Sequence, residues 1–209
     1  MRLHAPLNDL FRTGSHVRIL RALNDLPAGH ATSARDLARR AGISHPTASA
    51  VLASLLDQGL VKVRRTPRAD LFEFNRSHAL VEHITPLLDW EQSADRDLTT
   101  FLRTRLSRTK HGVRDAFIFG SAARGDMQPS SDIDLAVIAE KARGEDVRGV
   151  LDQIAPLVRA RFGNQLNVIV VEGEPDSPRG RRRTSGSLWE RISAEGVSIF
   201  EPEKRQAHA

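Results

Sequence analysis

The 209-residue sequence contains no cysteine and no tyrosine, and only 5% of its residues are aromatic. Without cysteine there can be no disulfide bond, no thiol nucleophile and no cysteine-ligated metal site. No apolar run approaches the roughly 20 residues that cross a bilayer, and the first residues lack the apolar core of a signal peptide. We therefore expect a soluble, cytoplasmic protein with no membrane partner.

Hydrophobic residues make up 40% of the chain and charged residues 27%, which is enough apolar material for a folded core. The length allows one large domain or two small ones. Coarse periodicity divides the chain into helices followed by a hairpin, a helical connector, and a region that alternates strands and helices. The predicted fold class is therefore α/β (α+β), with domains at 1–77 and 111–202, a connector at 78–110 and a tail at 203–209.

Basic residues are concentrated in the first third of the chain. Residues 1–78 carry 12 Lys and Arg against 6 Asp and Glu, whereas the remainder carries 19 against 20. This distribution fits a polyanion-binding module joined to a near-neutral one. It also fits an arginine-rich composition with no partner, since 27 of the 31 basic residues are arginine. Charge alone does not decide between the two.

Two short helices are predicted from their capping residues. Ser33 opens one helix and Gly42 ends it, and Ser44 then opens a second helix that ends at Gly59. The four-residue link between them has the spacing of a helix-turn-helix. Next, two arms that alternate apolar and polar residues flank a turn, as in a β-hairpin.

Helices followed by a hairpin form a winged helix. The phrase LARRAGISHPTASAVLASLLDQGLVKVRR resembles the winged helix-turn-helix domains of small bacterial arsenic- and multiple-antibiotic-resistance regulators. The resemblance implies that the helix after Ser44 lies in the major groove of double-stranded DNA and that the hairpin contacts phosphates. The alternative is a winged helix that binds protein rather than DNA.

The residues assigned to DNA contact come from this helix and this hairpin. None of the outward helix residues is Arg, Lys, Asn or Gln, so we expect modest base specificity. The candidate DNA-binding residues are His45, Thr47 and Ser49 on the helix and Lys62, Arg64, Arg65 and Arg68 on the hairpin.

The connector at 78–110 carries leucine and tryptophan at helical spacing, interrupted by Pro86. Such a stripe packs on its own domain or forms a homodimer seam, and the sequence leaves both alternatives open.

The third region places a strand, a Gly-Ser turn and an Asp-x-Asp pair in succession. Asp132 and Asp134 open an apolar stretch, and residues two apart on a strand point to one face about 7 Å apart. Two such carboxylates repel each other unless a cation lies between them, and a hard divalent cation accepts oxygen ligands. The opposite face, predicted to be buried, consists of Ile133, Leu135 and Val137.

The turn upstream of this pair suits a phosphate. Gly120 permits a close backbone approach, and Ser121 adds a hydroxyl donor where a short helix is predicted to begin. A phosphate cradle beside a metal-binding carboxylate pair implies a metal-bound nucleoside triphosphate. A purely structural turn is the alternative.

The composite GSAARGDMQPSSDIDLAVI resembles the minimal nucleotidyltransferases of the DNA polymerase beta superfamily. The resemblance implies a mixed sheet with helices on one side. It also implies Mg²⁺- or Mn²⁺-dependent attack of a hydroxyl on the alpha phosphate of an NTP. By the same resemblance Asp132 and Asp134 hold the two metals, and the nucleotide-binding residues are Gly120, Ser121, Arg124 and Gly125.

The sequence departs from the family at one catalytic position. The family usually carries a third carboxylate on the next core strand, where this chain has Asn167. An amide is neutral and a poor base, so its loss of charge should weaken the catalytic metal and slow transfer. An alignment shifted by one residue would instead place Asn167 on the opposite face. Glu172 lies at the end of this strand and is a poor substitute.

Three functions remain open at this point. The first is a DNA-binding nucleotidyltransferase with an unknown hydroxyl acceptor, in which Asp132, Asp134 and Asn167 form the catalytic set. The second is a transcription regulator whose degenerate domain senses a nucleotide. The third, by analogy alone, is a component of a toxin–antitoxin or defence system. The basic run at 179–183 either clamps phosphate or is a solvated loop.

Overall fold

The computed structural model describes residues 4–106, 112–173, 192 and 194–200. The chain divides into two compact units, Met1–Ser93 and Ala94–Ala209. The basic run at 179–183 and the predicted tail at 203–209 lie outside the described residues. Within the described part of the chain, no helix has the length and apolar character needed to cross a membrane.

From residue 4 onward, the first unit contains five helices and a three-stranded antiparallel sheet of order β1–β3–β2. Its elements are α1 (Leu7–Leu10), α2 (Gly14–Asn24), β1 (Thr32–Ser33), α3 (Ala34–Ala41), α4 (His45–Asp57), β2 (Val61–Arg65), β3 (Asp70–Phe74) and α5 (Ala79–Glu91). The hairpin pairs Val61 with Phe74 and Arg65 with Asp70. This arrangement confirms the predicted winged helix and adds the short β1, whose two residues are too few to produce a period.

The capping residues explain why α3 and α4 begin where they do. The Ser33 hydroxyl accepts a hydrogen bond from the backbone N–H of Asp36 at 3.2 Å, and Ser44 accepts one from Thr47 at 3.3 Å. Gly42 ends α3 in the left-handed region with φ 62°. The serine hydroxyls thereby satisfy backbone N–H groups of the first turns that have no partner within the helix.

A single apolar core holds the first unit together. It joins the leucines of α2, α3 and α4 to Phe74 and to one face of α5. Leu88 on α5 is buried there, while Leu87 and Trp90 on its other face are exposed. The Arg21 guanidinium also donates from Nε to Glu91 Oε2 at 2.6 Å, which fixes the end of α5 against α2. Half of the segment 78–110 therefore packs in the first unit.

The second unit is built on a mixed sheet of order β6–β5–β4–β7. Its elements are α6 (Ala94–Arg105), β4 (Val113–Phe119), α7 (Ser121–Arg124), β5 (Ile133–Ala139), α8 (Gly144–Phe162), β6 (Leu166–Glu172) and β7 (Val197–Ser198). Strands β5 and β6 are parallel, and β4 runs antiparallel to both β5 and β7. This topology confirms the mixed sheet expected from the resemblance.

The two faces of this sheet have different partners. Ile133, Leu135 and Val137 are buried, as predicted, in a cluster that includes the apolar residues of α6 and α8. The alternate residues of β5 face the other way, where Ala136 packs with Phe119 and Ile192. In the described part of the chain both long helices of this unit therefore lie on one side, and Asp134 lies on the other.

Candidate functional site

The turn between β4 and α7 lies against the Asp134 carboxylate. Phe119, the last residue of β4, pairs with Asp134 on β5, so Gly120 follows directly beside that side chain. Gly120 has φ 69° and ψ −145°, a backbone conformation that residues other than glycine rarely adopt. A Cβ added at this position would lie 2.6 Å from Asp134 Oδ2. The chain therefore needs glycine here both for its backbone angle and for the approach of the carboxylate.

Asn167 lies directly across from Asp134. The parallel register of β5 and β6 pairs the two residues, and Asn167 Nδ2 donates to Asp134 Oδ1 at 2.9 Å. The two side chains therefore share the sheet face that lies opposite the helices. The alternative alignment, with Asn167 on the other face, does not agree with this geometry.

Asp132 immediately precedes β5 and is exposed. The backbone there is held by a hydrogen bond from the N–H of Ile133 to the carbonyl of Gln165 at 2.8 Å. Within the described residues, the Asp132 carboxylate has neither a hydrogen bond nor an ion pair. Asp134, by contrast, is half-buried and accepts the hydrogen bond of Asn167.

Arg124 is occupied by two carboxylates. Its Nε lies 3.2 Å from Asp126 Oδ2, and its Nη1 lies 3.2 Å from Glu195 Oε2. The hydrogen bond to Asp126 first, and the one to Glu195 second, raise the pKa of the Arg124 guanidinium. A phosphate at Arg124 would have to compete with both acids.

A groove separates α4 from the hairpin in the first unit. It has a volume of about 600 Å³ and is lined by His45, Ser49, Arg65 and Arg68 among others. These four predicted DNA-contacting residues are thus brought together, whereas Thr47, Lys62 and Arg64 do not line the groove. All four basic residues predicted on the hairpin are exposed.

The groove also contains a basic residue that sequence reasoning missed. Arg35, in the first turn of α3, is exposed and lines it. Its neighbours Arg39 and Arg40 are instead paired with Asp36, and the hydrogen bond from Arg40 holds the pKa of that carboxyl below its usual value. The cluster of arginines on α3 was visible in the sequence, but which of them remains available depends on these pairings.

Two family models match the chain, in the predicted order. Residues 12–69 match the MarR family, and residues 103–204 match the polymerase beta nucleotidyltransferase family. The chain joins a MarR-family domain to a nucleotidyltransferase domain. A search of curated proteins finds no significant match.

Solved structures resemble the chain only in part. A mutant of the toxin–antitoxin MntA-HpeT shares 13% identity at a TM-score of 0.34, covering 52% of this chain and 74% of that one. A toxin–antitoxin with AMP-PNP shares 14% identity at a TM-score of 0.34, with the same coverage. Bordetella bronchiseptica BpsR, whose DNA binding is regulated by 6-hydroxynicotinic acid, shares 24% identity at a TM-score of 0.33. The match covers 49% of this chain and 79% of that one. At these TM-scores the likenesses carry no argument about function.

The carboxylates of Asp132 and Asp134 are oxygen donors of the kind that a hard cation prefers. Asp132 is exposed, and Asp134 Oδ2 is not the atom that bonds Asn167, so an oxygen of each carboxylate is available. Mg²⁺ accepts one or two carboxylates and completes its shell with waters and phosphate oxygens. Within the described residues there is no group of three or more His, Cys, Asp or Glu side chains that could hold a metal.

Glu172 has a structural task at the end of β6. Its Oε1 accepts from the backbone N–H of Gly144 at 3.1 Å and its Oε2 accepts from that of Ala142 at 3.3 Å. The carboxylate thereby satisfies donors at the start of α8. Because its oxygens are used there, Glu172 does not replace the missing third carboxylate.

Proposed function

We propose that the nucleotidyltransferase domain binds a metal-complexed nucleoside triphosphate between the Gly120–Ser121 turn and the pair Asp132 and Asp134. The contact between Gly120 and the Asp134 carboxylate carries this proposal. It brings the two halves of the motif, separated by the ten residues 122–131, against each other. Backbone N–H groups of the first turn of α7 would receive phosphate oxygens, and the carboxylates would hold the Mg²⁺ that accompanies them.

The proposed reaction is a slow transfer of a nucleoside monophosphate. An acceptor hydroxyl forms a bond to the alpha phosphorus, the bond from that phosphorus to the bridging oxygen breaks, and pyrophosphate leaves. The hydroxyl proton must pass to a base, and the Asn167 amide cannot accept it. Bound Mg²⁺ supplies charge stabilisation to the phosphates. With no protein base beside the acceptor at this position, we expect the proton to leave to water and turnover to be slow.

Calorimetric titration of the full chain with a non-hydrolysable NTP tests nucleotide binding directly. We expect saturable binding in the presence of Mg²⁺ and its loss in excess EDTA, because the carboxylates repel an uncomplexed triphosphate. Binding that is equal with and without the divalent ion would contradict the proposal.

We propose further that the MarR-family domain binds double-stranded DNA through its phosphates. Arg35, Arg65 and Arg68 surround the groove beside α4, and Arg64 is exposed on the same hairpin. None of the exposed residues of α4 is Arg, Lys, Asn or Gln, and Thr47 Oγ1 is already bonded to Ser44 Oγ at 2.7 Å. Affinity would therefore come mainly from charge, with modest discrimination among base pairs.

Replacing Arg64 and Arg65 by alanine should weaken DNA binding and flatten its salt dependence. Each lost phosphate contact lowers the slope of log K against log salt by about 0.9, so the double variant should lose roughly 2. Fluorescence anisotropy with labelled duplex at several salt concentrations measures this. Arg96→Ala/Arg159→Ala, which removes two exposed charges from the second unit, is the matched control. An unchanged slope in the hairpin variant would refute phosphate contact there.

A second candidate function is a regulator that senses a nucleotide without transferring it. The hydrogen bond from Asn167 to Asp134 favours it, because a neutral amide stands where a third acid would activate the acceptor. The two candidates differ in a simple readout. Label from an NTP labelled at the alpha phosphate reaches an acceptor in a cell extract only for the transferase. For the sensor, Mg–NTP instead changes the affinity of the protein for DNA around the promoter of its own gene.

A further inference from the structure

Among the described residues, the acids assigned to the cation at the nucleotide site are two, Asp132 and Asp134, and not three. Asp132 and Asp134 are carboxylates, and Asn167, paired with Asp134 in the sheet register, is neutral. We propose that this domain holds one divalent cation with its nucleotide, and that Asn167 sets that number. The inference rests on the proposed nucleotide binding and specifies its metal stoichiometry.

The direction of the Asn167 amide supports a single cation. An ionised carboxylate only accepts hydrogen bonds, so the end of the Asn167 amide that faces Asp134 Oδ1 must be the NH₂ group. Its Nδ2 lies 2.9 Å from that oxygen. Asp134 Oδ1 accepts this N–H group, so it would have to give up that hydrogen bond to hold a second cation. The amide oxygen then points away from Oδ1. Of the remaining carboxylate oxygens, Asp134 Oδ2 lies beside Gly120 at the phosphate turn, and those of the exposed Asp132 two residues earlier are free to join it on one ion.

The same hydrogen bond has a consequence for the ion-free protein. Neighbouring strands lie about 4.8 Å apart, so a carboxylate in place of Asn167 would face Asp134 directly across the sheet. The Asn167 donor stabilises the Asp134 charge without any metal, whereas a second acid would repel it. An aspartate here should therefore add a cation site and make folding depend on that cation.

Counting bound Mn²⁺ by electron paramagnetic resonance tests the proposal. Full-length protein is titrated with Mn²⁺ in the presence of a saturating non-hydrolysable NTP. We expect one ion per chain in the unmodified protein and in Asn167→Ala, and two in Asn167→Asp. Gln153→Glu adds the same charge at an exposed position on α8, on the other side of the sheet, and should leave the count at one.

Thermal melting gives a second readout that does not depend on catalysis. Without metal, the melting temperature of Asn167→Asp should be lower than that of the unmodified protein. Adding Mn²⁺ should raise the melting temperature of Asn167→Asp more than it raises that of Gln153→Glu. Two ions in the unmodified protein would overturn the one-cation proposal while leaving nucleotide binding intact. No nucleotide-dependent Mn²⁺ at all would overturn both. A single ion in a folded Asn167→Asp would show that Asn167 does not set the number of bound cations. If that variant fails to fold, the count in the unmodified protein still decides the stoichiometry.

Discussion

Replacing Asp132 and Asp134 together by asparagine is expected to reduce nucleotidyl transfer to background, a loss of about 10³-fold or more. Metal-ion stabilisation of the transferring phosphate contributes several kcal/mol, and each tenfold in rate corresponds to about 1.36 kcal/mol. The substitution removes both negative charges but keeps the shape of each side chain. The Asn167 hydrogen bond can also persist, because an asparagine at 134 still presents a carbonyl oxygen to Asn167 Nδ2. The fold should therefore survive the loss of the cation site.

The measurement is transfer of label from an NTP labelled at the alpha phosphate, with Mg²⁺ or Mn²⁺ and a cell extract as the source of acceptor. Glu140→Gln/Asp152→Asn is the matched control, since it neutralises two exposed acids of the second unit outside the site. Control activity should equal that of the unmodified chain. Transfer that persists in the Asp132 and Asp134 double variant would remove these residues from the catalytic set.

Gly120→Ala is expected to lower the affinity for Mg–NTP by at least about tenfold, and to destabilise the second unit. A non-glycine residue held in such a backbone region costs on the order of 1–3 kcal/mol, at a φ of 69° in this turn. The added Cβ would also come within 2.6 Å of Asp134 Oδ2, so the carboxylate or the turn must move. Either movement separates the phosphate turn from the cation ligand, which the proposed site needs in contact.

Gly149→Ala offers a control of the same chemistry. Gly149 lies within α8, and a Cβ there would meet no heavy atom within 4 Å. Alanine should stabilise that helix by about 0.5–1 kcal/mol without touching nucleotide affinity. Calorimetry and chemical denaturation measure both quantities for both variants. If Gly120→Ala bound Mg–NTP as tightly as Gly149→Ala, the turn would not be part of the site.

Arg124 illustrates how a motif residue depends on distant parts of the chain. The Arg-Gly that follows Gly-Ser suggests a phosphate ligand, and that role stays a prediction. In the structure its guanidinium is bound by Asp126, two residues away, and by Glu195, 71 residues further along the chain. No pattern in the sequence near Arg124 predicts the contact with Glu195. The same holds for Arg35, whose position at the groove depends on how α3, α4 and the hairpin pack.

The features that the sequence alone determined are those that form within a few residues. Ser33, Ser44 and Gly42 delimit α3 and α4 because capping bonds and a left-handed φ involve only adjacent backbone. The alternation of Asp134 with its buried neighbours Ile133 and Leu135 follows from the two-residue period of a strand. These local signals, with the family resemblances of the two motifs, predicted both domains and their order.

Only the tertiary structure decided which side chains meet across the sheet. A shift of one residue in the pairing of β5 with β6 would have sent Asn167 to the helix-covered face. Because β6 carries apolar residues on both faces, its pattern alone does not fix the register. The register sets Asn167 Nδ2 against Asp134, and the end of the same strand places Glu172 on the start of α8. Hydrogen bonds between residues some 30 positions apart depend on the packing of whole elements, so they are not encoded in any short stretch of sequence.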